Sequence, residues 1–345
     1  MISYIWLQKS TPFYYSEIFD MQTFRNNFFF SEKFLDHFCN PRNVGELSVA
    51  DGYARVGDPS CGDFIEVWIK VRDDFIIDYK YKVFGCGGAI ATTSMASELA
   101  IGKRLKDAIK LTDDDIIREL GGIPENKAHC SLLGINGLRT AIADYLIRDN
   151  HRKYQERIEI YRRAGYDIAK HREQLVDFVI DQPNAANILD IGTGKGHLAL
   201  AIARRGLNCI SIDPSAEELY YARLNAIHYQ LDERIEFKQM DGRQMEFPDQ
   251  SFDAVICADM IHHLSQPDTV LAEMLRVCNS NGIIAVADLN AKGQKIVAQV
   301  LKAEGKNHSI LGWDFKQIQQ WFVVAGTKVQ LQQKPCEYFL IAKKA

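Results

Sequence analysis

Several features are missing from this 345-residue sequence, and each absence excludes a class of protein. No uncharged apolar run approaches the roughly 18 to 20 residues that a membrane-spanning helix requires. No charge of one sign dominates, because 41 basic and 45 acidic residues give a formal net charge of -4. Such a chain has no general attraction to phosphate backbones or anionic lipid. We therefore expect no membrane partner, and nucleic acid would need a local basic patch.

The cysteines also lack the close spacing that marks many metal sites. None of the eight forms a Cys-x-x-Cys pair, and they are scattered along a long chain. This distribution favours thiols in a reducing compartment over a disulfide framework, so we expect a cytoplasmic protein. Residues 1–30 have no secretory-signal pattern either, since they contain Glu17 and Asp20. We interpret them as an N-terminal extension, which is either loosely attached or the product of an upstream start codon.

The length predicts two domains, and the pattern changes near residue 150. Residues 31–149 begin with a helix over 32–38 that Ser31 caps, followed by a hairpin of strands over 64–71 and 75–84. Helices follow the strands, which predicts an α+β domain.

The second half has a different periodicity. Residues 150–182 predict a charged helical connector, and residues 183–345 alternate strands with helices. This alternation predicts a Rossmann-like α/β domain with a parallel, doubly wound sheet. The connector carries a basic run that acidic residues such as Glu156 and Glu159 interrupt, so a solvated helix is favoured over a nucleic-acid face.

Five candidate metal ligands lie at junctions between the predicted elements of the first domain. Cys61 and Asp63 precede the first hairpin strand, Cys86 separates the last strand from a helix, and His129 and Cys130 open a later helix. Backbone bends at such junctions can direct several thiolates to one point. The ligand types suit an iron-sulfur cluster or zinc, while buried packing thiols remain the alternative.

The segments around these residues resemble the NifU/IscU family of iron-sulfur cluster scaffolds. The resemblance rests on residues 31–45, which read SEKFLDHFCNPRNVG, and on the motifs that contain Cys61, Cys86 and Cys130. It covers residues 31–149 and implies a [2Fe-2S] cluster on the three cysteines, with zinc as the alternative metal. Asp63 or His129 would complete the ligand set. The resemblance further implies a cysteine desulfurase and apo iron-sulfur acceptor proteins as partners.

The second domain opens with a buried strand that runs into a glycine turn. Residues 188–196 read ILDIGTGKG, with glycines at Gly192, Gly194 and Gly196. Glycines there allow the backbone to approach a ligand closely at the start of a helix. The acidic Asp190 would repel a pyrophosphate, so a cationic ligand suits this turn better than a dinucleotide.

Two further carboxylates end the next two strands. Asp213 is placed to accept hydrogen bonds from ribose hydroxyls, and Asp241 can meet an adenine amino group. Together with residues 252–264, which read FDAVICADMIHHL, these features resemble the class I S-adenosylmethionine-dependent methyltransferases, especially the UbiE-like group. The resemblance covers roughly residues 164–345 and implies S-adenosyl-L-methionine as cofactor and a small-molecule methyl acceptor.

The catalytic residues of this second domain stay unassigned. His262 and His263 follow the fourth strand near the expected methyl position, where they either act as a general base or only shape the pocket. Methyl transfer can proceed by alignment alone, without a dedicated base. The sequence thus predicts a scaffold fused to a methyltransferase. The alternative is an iron-sulfur or zinc carrier whose second domain binds S-adenosylmethionine only as a regulator.

Overall fold

The structure of the protein, a computed structural model, divides into two compact units, Met1–Leu146 and Ile147–Ala345. It describes residues 5–6, 30–57, 62–123, 129–181 and 186–344. Most of the predicted extension over residues 1–30 therefore lies outside the described residues. Across the described ranges, no helix is both long and apolar enough to cross a membrane.

The first unit contains an antiparallel four-stranded sheet and helices, as predicted. The strand order is β1-β4-β3-β2, and the strands are β1 (Ile5–Trp6), β2 (Gly52–Gly57), β3 (Phe64–Arg72) and β4 (Phe75–Gly85). Burial alternates along β3 and β4, so one face of the sheet lies in the core. The helices are α1 (Glu32–Cys39), α2 (Gly87–Ala100), α3 (Leu105–Ala108), α4 (Asp113–Glu119) and α5 (His129–Arg163), the last of which continues past the unit boundary.

Local signals in the sequence account for the first helix and the hairpin. The side chain of Ser31 accepts a hydrogen bond from the backbone N–H of Phe34 at 3.0 Å, which caps α1. Asp73 and Asp74 adopt φ of +50° and +69°, the backbone of a tight two-residue turn between β3 and β4. The sequence did not predict β2, which forms by pairing with β3. Gly52 at the start of β2 lies close to α5, since a Cβ on it would lie 2.2 Å from the carbonyl oxygen of Ala141.

The second unit contains a seven-stranded mixed sheet in the order β10-β11-β9-β8-β5-β6-β7. The strands are β5 (Ile188–Ile191), β6 (Cys209–Asp213), β7 (Ile235–Gln239), β8 (Phe252–Ala258), β9 (Cys278–Leu289), β10 (Thr327–Gln333) and β11 (Glu337–Lys344). The helices are α6 (Ile168–Ile180), α7 (His197–Arg204), α8 (Ala216–His228), α9 (Pro267–Val277), α10 (Ala291–Ala303) and α11 (Phe315–Val324). The five strands β5 to β9 are parallel, which confirms the predicted α/β class.

The last two strands differ from the prediction of a parallel sheet. β10 pairs antiparallel with β11, and β11 pairs antiparallel with β9. Only three residues separate β10 from β11, and so short a connection can join antiparallel strands but not parallel ones.

The charged segment over residues 150–182 contains the end of α5 and all of α6. Gly165 has a φ of +96° between the two helices, and Asp167 caps α6 by accepting from the backbone N–H of Lys170 at 3.0 Å. Within α5, Arg152 bonds Asp149 and Glu156 at 2.7 Å each, and Arg157 pairs with Glu304 outside the helix at 2.6 Å. The positive charge of this part of α5 is therefore compensated locally. Residues 182–185 lie outside the described residues.

Candidate functional sites

Asp63 and Cys86 lie together at the end of the first unit's sheet. Cys86 occupies the N-cap position of α2, and its backbone N–H donates to Oδ2 of Asp63 at 3.1 Å. Asp63 is 4 % exposed, and a Cβ on Gly85 would lie 2.8 Å from its carboxyl group. Only glycine at position 85 therefore leaves room for this carboxylate. The arrangement holds an acidic oxygen beside a thiol at a helix N-terminus, where backbone N–H groups stabilise a thiolate.

The stretch over residues 31–45 is fixed against α2. His37 bonds the hydroxyl of Ser94 through Nδ1 at 2.8 Å, and the backbone N–H of Arg42 donates to the same hydroxyl at 2.9 Å. Near the start of α2, the ring of Phe38 comes within 3.0 Å of the position that a Cβ on Gly87 would take. The motif that carried the family resemblance thus packs on the helix that begins next to Cys86.

The other predicted ligands of this unit are less fully described. Cys61 lies outside the described residues, and of His129 and Cys130 the structure describes only the backbone, at the start of α5 as predicted. Whether these side chains converge on Cys86 stays a prediction.

The remaining cysteines have unreactive surroundings. Cys209 and Cys278 lie in strands and are buried, as predicted. Burial raises the pKa of Cys278 to about 11, and it also raises the pKa of Cys257 well above its ordinary value. Burial and the charge of Asp36 also raise the pKa of Cys39. Thiols that resist ionisation are poor metal ligands and poor nucleophiles.

The glycine turn after β5 needs its glycines. Gly192, Gly194 and Gly196 have φ of +83°, +50° and +84°, a region that side chains disfavour. The backbone N–H of Gly192 donates to the carbonyl of Ile212 at 2.9 Å, which ties the turn to β6. A Cβ on Gly192 would also lie 2.9 Å from Sδ of Met260, so the segment after β8 covers the turn closely.

Asp190 stands below this turn in a buried chain of hydroxyls. Ser211 donates to its Oδ2 at 2.7 Å, and Thr193 bonds Ser211 at 2.6 Å. The other oxygen, Oδ1, is buried and has no hydrogen-bond partner among the described residues. Burial raises the pKa of Asp190 to about 7, although the bond from Ser211 opposes this. A buried carboxylate with one unsatisfied oxygen is a site that a cationic ligand would stabilise.

The two strand-end carboxylates differ in their surroundings. Asp213 is 9 % exposed and is held by backbone donors, since Gly194 N–H bonds Oδ2 at 3.0 Å and Ser215 N–H bonds Oδ1 at 2.9 Å. Asp241 is more exposed and pairs with Arg243 at 2.6 Å, a side-chain hydrogen bond that lowers its pKa. Asp213 thus belongs to the glycine turn, whereas Asp241 has an arginine partner on the surface.

His262 is buried and oriented by Asp288. Its Nδ1–H donates to one carboxylate oxygen of Asp288, and its backbone N–H donates to the other at 3.1 Å. Burial alone would lower the pKa of His262, but the hydrogen bond and charge of Asp288 raise it above the usual value. Because Nδ1 carries the bonded proton, Nε2 presents a lone pair. His263, in contrast, is exposed and bonds the carbonyl of Ser309 through Nδ1 at 2.9 Å.

His308 completes a histidine cluster that the sequence did not indicate. Its Nε2 lies 3.1 Å from Nε2 of His262, and its buried Nδ1 has no partner among the described residues. The loop that carries it is anchored because the backbone N–H groups of Leu311 and Gly312 both donate to the carbonyl of His262 at 2.9 Å. We call His262, His263 and His308 the histidine cluster.

A buried ionic network lies beside the end of β8. Arg172 bonds Glu337 at 2.7 Å and also bonds Asp259, whereas Tyr166 donates to Asp259 at 2.6 Å. His171 donates to the second oxygen of Glu337 at 2.9 Å. Burial raises the pKa of Asp259, while Arg172 beside Glu337 holds the pKa of that group low despite its burial. The network ties α6 and β11 to the segment that leads to His262.

The sequence analysis identified neither Asp288 nor His308. A sequence pattern could have indicated Asp288 alone. Asp288 follows the apolar run over 283–287, so it stands at the carboxyl edge of the parallel sheet like Asp190 and Asp213. His308 lies in an irregular loop that carries no periodic pattern.

Comparisons with known proteins match two separate parts of the chain. The model of the NifU-like N terminal domain matches residues 29–152. The iron-sulfur cluster assembly scaffold protein IscU 1 of Archaeoglobus fulgidus is 52 % identical over 116 residues, which are 34 % of this chain and 76 % of that protein. The scaffold protein IscU of Aquifex aeolicus is 49 % identical over 124 residues, 35 % of this chain and 79 % of the relative.

For the second unit, the model of the Methyltransferase domain matches residues 189–286, which contain the glycine turn, both strand-end carboxylates and His262. A solved SAM-dependent methyltransferase from Aquifex aeolicus aligns with 50 % of this chain and 88 % of its own, at 19 % identity and a TM-score of 0.40. The chain belongs, through its N-terminal unit, to the IscU-like family of iron-sulfur cluster assembly scaffolds, and it joins to that unit a methyltransferase domain.

Proposed function

We propose that residues 183–345 bind S-adenosyl-L-methionine at the glycine turn and transfer its methyl group to a small molecule. The observation that carries this proposal is the buried, unpartnered Oδ1 of Asp190 beneath three glycines of positive φ. This oxygen suits the ammonium group of the cofactor's methionine part. Asp213, held by two backbone donors, would accept from the ribose hydroxyls, and Asp241 would meet the adenine amino group.

For methyl transfer the protein needs mainly to align the acceptor atom with the methyl group of the cofactor. An acceptor lone pair attacks the methyl carbon, the bond from carbon to sulfur breaks, and sulfur keeps the electron pair as S-adenosylhomocysteine forms. An acceptor hydroxyl or thiol also loses its proton, which passes to water. We place His262 at the acceptor end, where Asp288 fixes its ring and leaves the Nε2 lone pair 3.1 Å from Nε2 of His308.

Binding of S-adenosylmethionine should weaken as the pH falls through the pKa of Asp190. The carboxyl must be ionised to pair with an ammonium group, and its pKa in the free protein is about 7. Affinity should therefore fall about fivefold from pH 7 to pH 6, a range in which an α-amino group stays charged. Calorimetric titration at several pH values measures this. Asp177→Asn, which changes an exposed aspartate that pairs with Arg205, should keep this slope. An affinity that is equal at pH 6 and pH 7 in the unchanged protein would contradict the assignment.

An assay for enzymatic turnover can identify the methyl acceptor. Fractionated cell extract supplies candidate acceptors, and formation of S-adenosylhomocysteine reports the active fraction. If no fraction supports turnover while the cofactor binds, the second domain is a regulator rather than an enzyme.

For residues 31–149 we propose assembly of a [2Fe-2S] cluster on Cys61, Cys86 and Cys130, with Asp63 as the fourth ligand. The cluster is cargo: a cysteine desulfurase would supply its sulfur, and apo iron-sulfur proteins would receive it. The support is the position of Asp63, buried and bonded to the backbone of Cys86. His129 is the other candidate ligand, and zinc fits the same donor types. A carboxylate oxygen binds iron less tightly than a thiolate, which makes the cluster easy to release.

Replacing Asp63 by cysteine should make the cluster longer lived. A fourth thiolate matches iron better than an oxygen, so loss of the cluster to a chelator should slow by roughly tenfold. The decay of visible absorbance after anaerobic reconstitution with iron, sulfide and a cysteine desulfurase measures the rate. Asp114→Cys, at an exposed position of α4, controls for an added thiol. An unchanged decay rate in Asp63→Cys would argue that His129 is the ligand.

A further inference from the structure

The histidine cluster has the composition and geometry of a metal site. One ring nitrogen from each of His262, His263 and His308 lies within 4.8 Å of those of the other two. The Nε2 atoms of His262 and His308 are 3.1 Å apart. Two nitrogens bound to one tetrahedral zinc ion, each at about 2.0 to 2.1 Å, lie about 3.3 Å apart. A small outward movement of one ring would therefore admit an ion between them.

The second ring nitrogens are arranged as metal-binding histidines require. Such histidines donate their other N–H to a carboxylate or a backbone carbonyl, which fixes the tautomer and the ring orientation. Both patterns occur here, since Nδ1 of His262 donates to Asp288 and Nδ1 of His263 donates to the carbonyl of Ser309. In both residues Nε2 is left with the lone pair. The tautomers that would bind a metal are thus set by neighbours outside the cluster.

The backbone shows why His308 stays near the other two residues. Two N–H groups, from Leu311 and Gly312, bond the single carbonyl of His262. A Cβ on Gly312 would lie 2.4 Å from the carbonyl oxygen of Ile261, so only glycine allows the loop to approach this closely. The loop is held against the residues that it would join in binding an ion.

We infer that His262, His263 and His308 form a site for a zinc-type divalent cation at the acceptor end of the methyltransferase domain. Three imidazoles leave a fourth position open, as in catalytic rather than structural zinc sites. Imidazole ligands favour zinc, cobalt, nickel or copper over magnesium or calcium. The open position takes the oxygen, nitrogen or sulfur atom of the acceptor that receives the methyl group. This second role rests on the proposed methyl transfer, whereas the metal site does not.

The test uses the full chain, with Cys61, Cys86 and Cys130 each replaced by Ser so that the scaffold thiols bind no metal. Zinc titrated calorimetrically into this background should bind at one equivalent, and cobalt should give the visible absorption of a tetrahedral ion. His308→Ala should weaken zinc binding by about a hundredfold, and Asp288→Asn by roughly 10- to 100-fold. His228→Ala, which removes an imidazole that stacks on His151, should bind zinc as the background does.

Each result decides the matter. Absence of zinc binding in the background, or equal binding after both His308→Ala and His263→Ala, overturns the site. Circular dichroism and binding of S-adenosylmethionine test whether His308→Ala is folded. Cofactor binding should persist in a folded variant, because His308 is not a residue of the proposed cofactor site. If zinc binds but S-adenosylmethionine binds to no form of the protein, the proposed function fails and the metal site stands.

Discussion

Asp190→Asn should abolish measurable binding of S-adenosylmethionine and yet raise the stability of the second unit. The binding loss follows because the variant cannot place a negative charge beneath the glycine turn. The stability gain follows from the sign of the pKa shift. Burial raises the pKa of Asp190 in the folded protein to about 7, whereas the ordinary value is 3.8. A carboxyl group whose pKa is raised by folding lowers the free energy of unfolding progressively as the pH rises from about 4 to 7. Above pH 7 the full loss of stability is present.

The neutral amide removes that cost and can still accept the hydrogen bond from Ser211. We expect the free energy of unfolding at pH 8 to rise by about 2 kcal/mol, with little gain at pH 4. Urea unfolding at the two pH values measures the difference, and calorimetry measures the binding. Asp177→Asn is the matched control, since this exposed aspartate pairs with Arg205 on the surface and should change neither quantity by much. A variant that binds the cofactor normally would show that Asp190 is a structural group.

Cys86→Ser should eliminate the reconstituted cluster without unfolding the first unit. A hydroxyl cannot replace a thiolate as an iron ligand, so the visible absorbance should be absent. The fold should survive because Cys86 is the N-cap of α2 and makes no capping hydrogen bond through its side chain. Serine is a preferred N-cap residue and would add such a bond, a gain of about 0.5 to 1 kcal/mol.

This expected stability makes the cluster result interpretable, because loss of absorbance cannot then be attributed to unfolding. Absorbance after anaerobic reconstitution and urea unfolding of the same samples are the two measurements. Cys39→Ser is the matched control, since Cys39 ends α1 and has a thiol whose pKa burial raises. It should assemble the cluster fully. A cluster of normal yield on Cys86→Ser, or its loss in Cys39→Ser, would contradict the proposed ligand set.

Local chemistry explains what the sequence could predict. Ser31 capping α1, the Asp73 and Asp74 turn, and the glycine turn after β5 all depend on residues a few positions apart. Their conformations follow from capping bonds and backbone sterics, which short motifs encode. The buried strand before the glycine turn follows from the same kind of local pattern, whereas the role of Asp190 stays a prediction.

The features that escaped prediction depend on distant pairings. His308 contacts His262, which lies 46 residues earlier in the sequence, and Arg172 bonds Glu337, which lies 165 residues later. No periodic pattern marks either contact, because each is made where an irregular segment or a chain end packs on the sheet. The antiparallel direction of β11 was not predicted for a related reason. The direction of a strand depends on the length of the connection that precedes it, and the composition of the strand does not encode that direction.

The position of β11 has a consequence for how the second unit is made on the ribosome. This strand is the latest described element in the chain, yet it lies inside the sheet, between β9 and β10. It also contributes Glu337, the partner of Arg172 far upstream. The sheet therefore stays unfinished, with Arg172 short of one partner, until residues 337–344 have been synthesised. Within the first unit, β2, β3 and β4 pair as consecutive strands and can fold much earlier during translation.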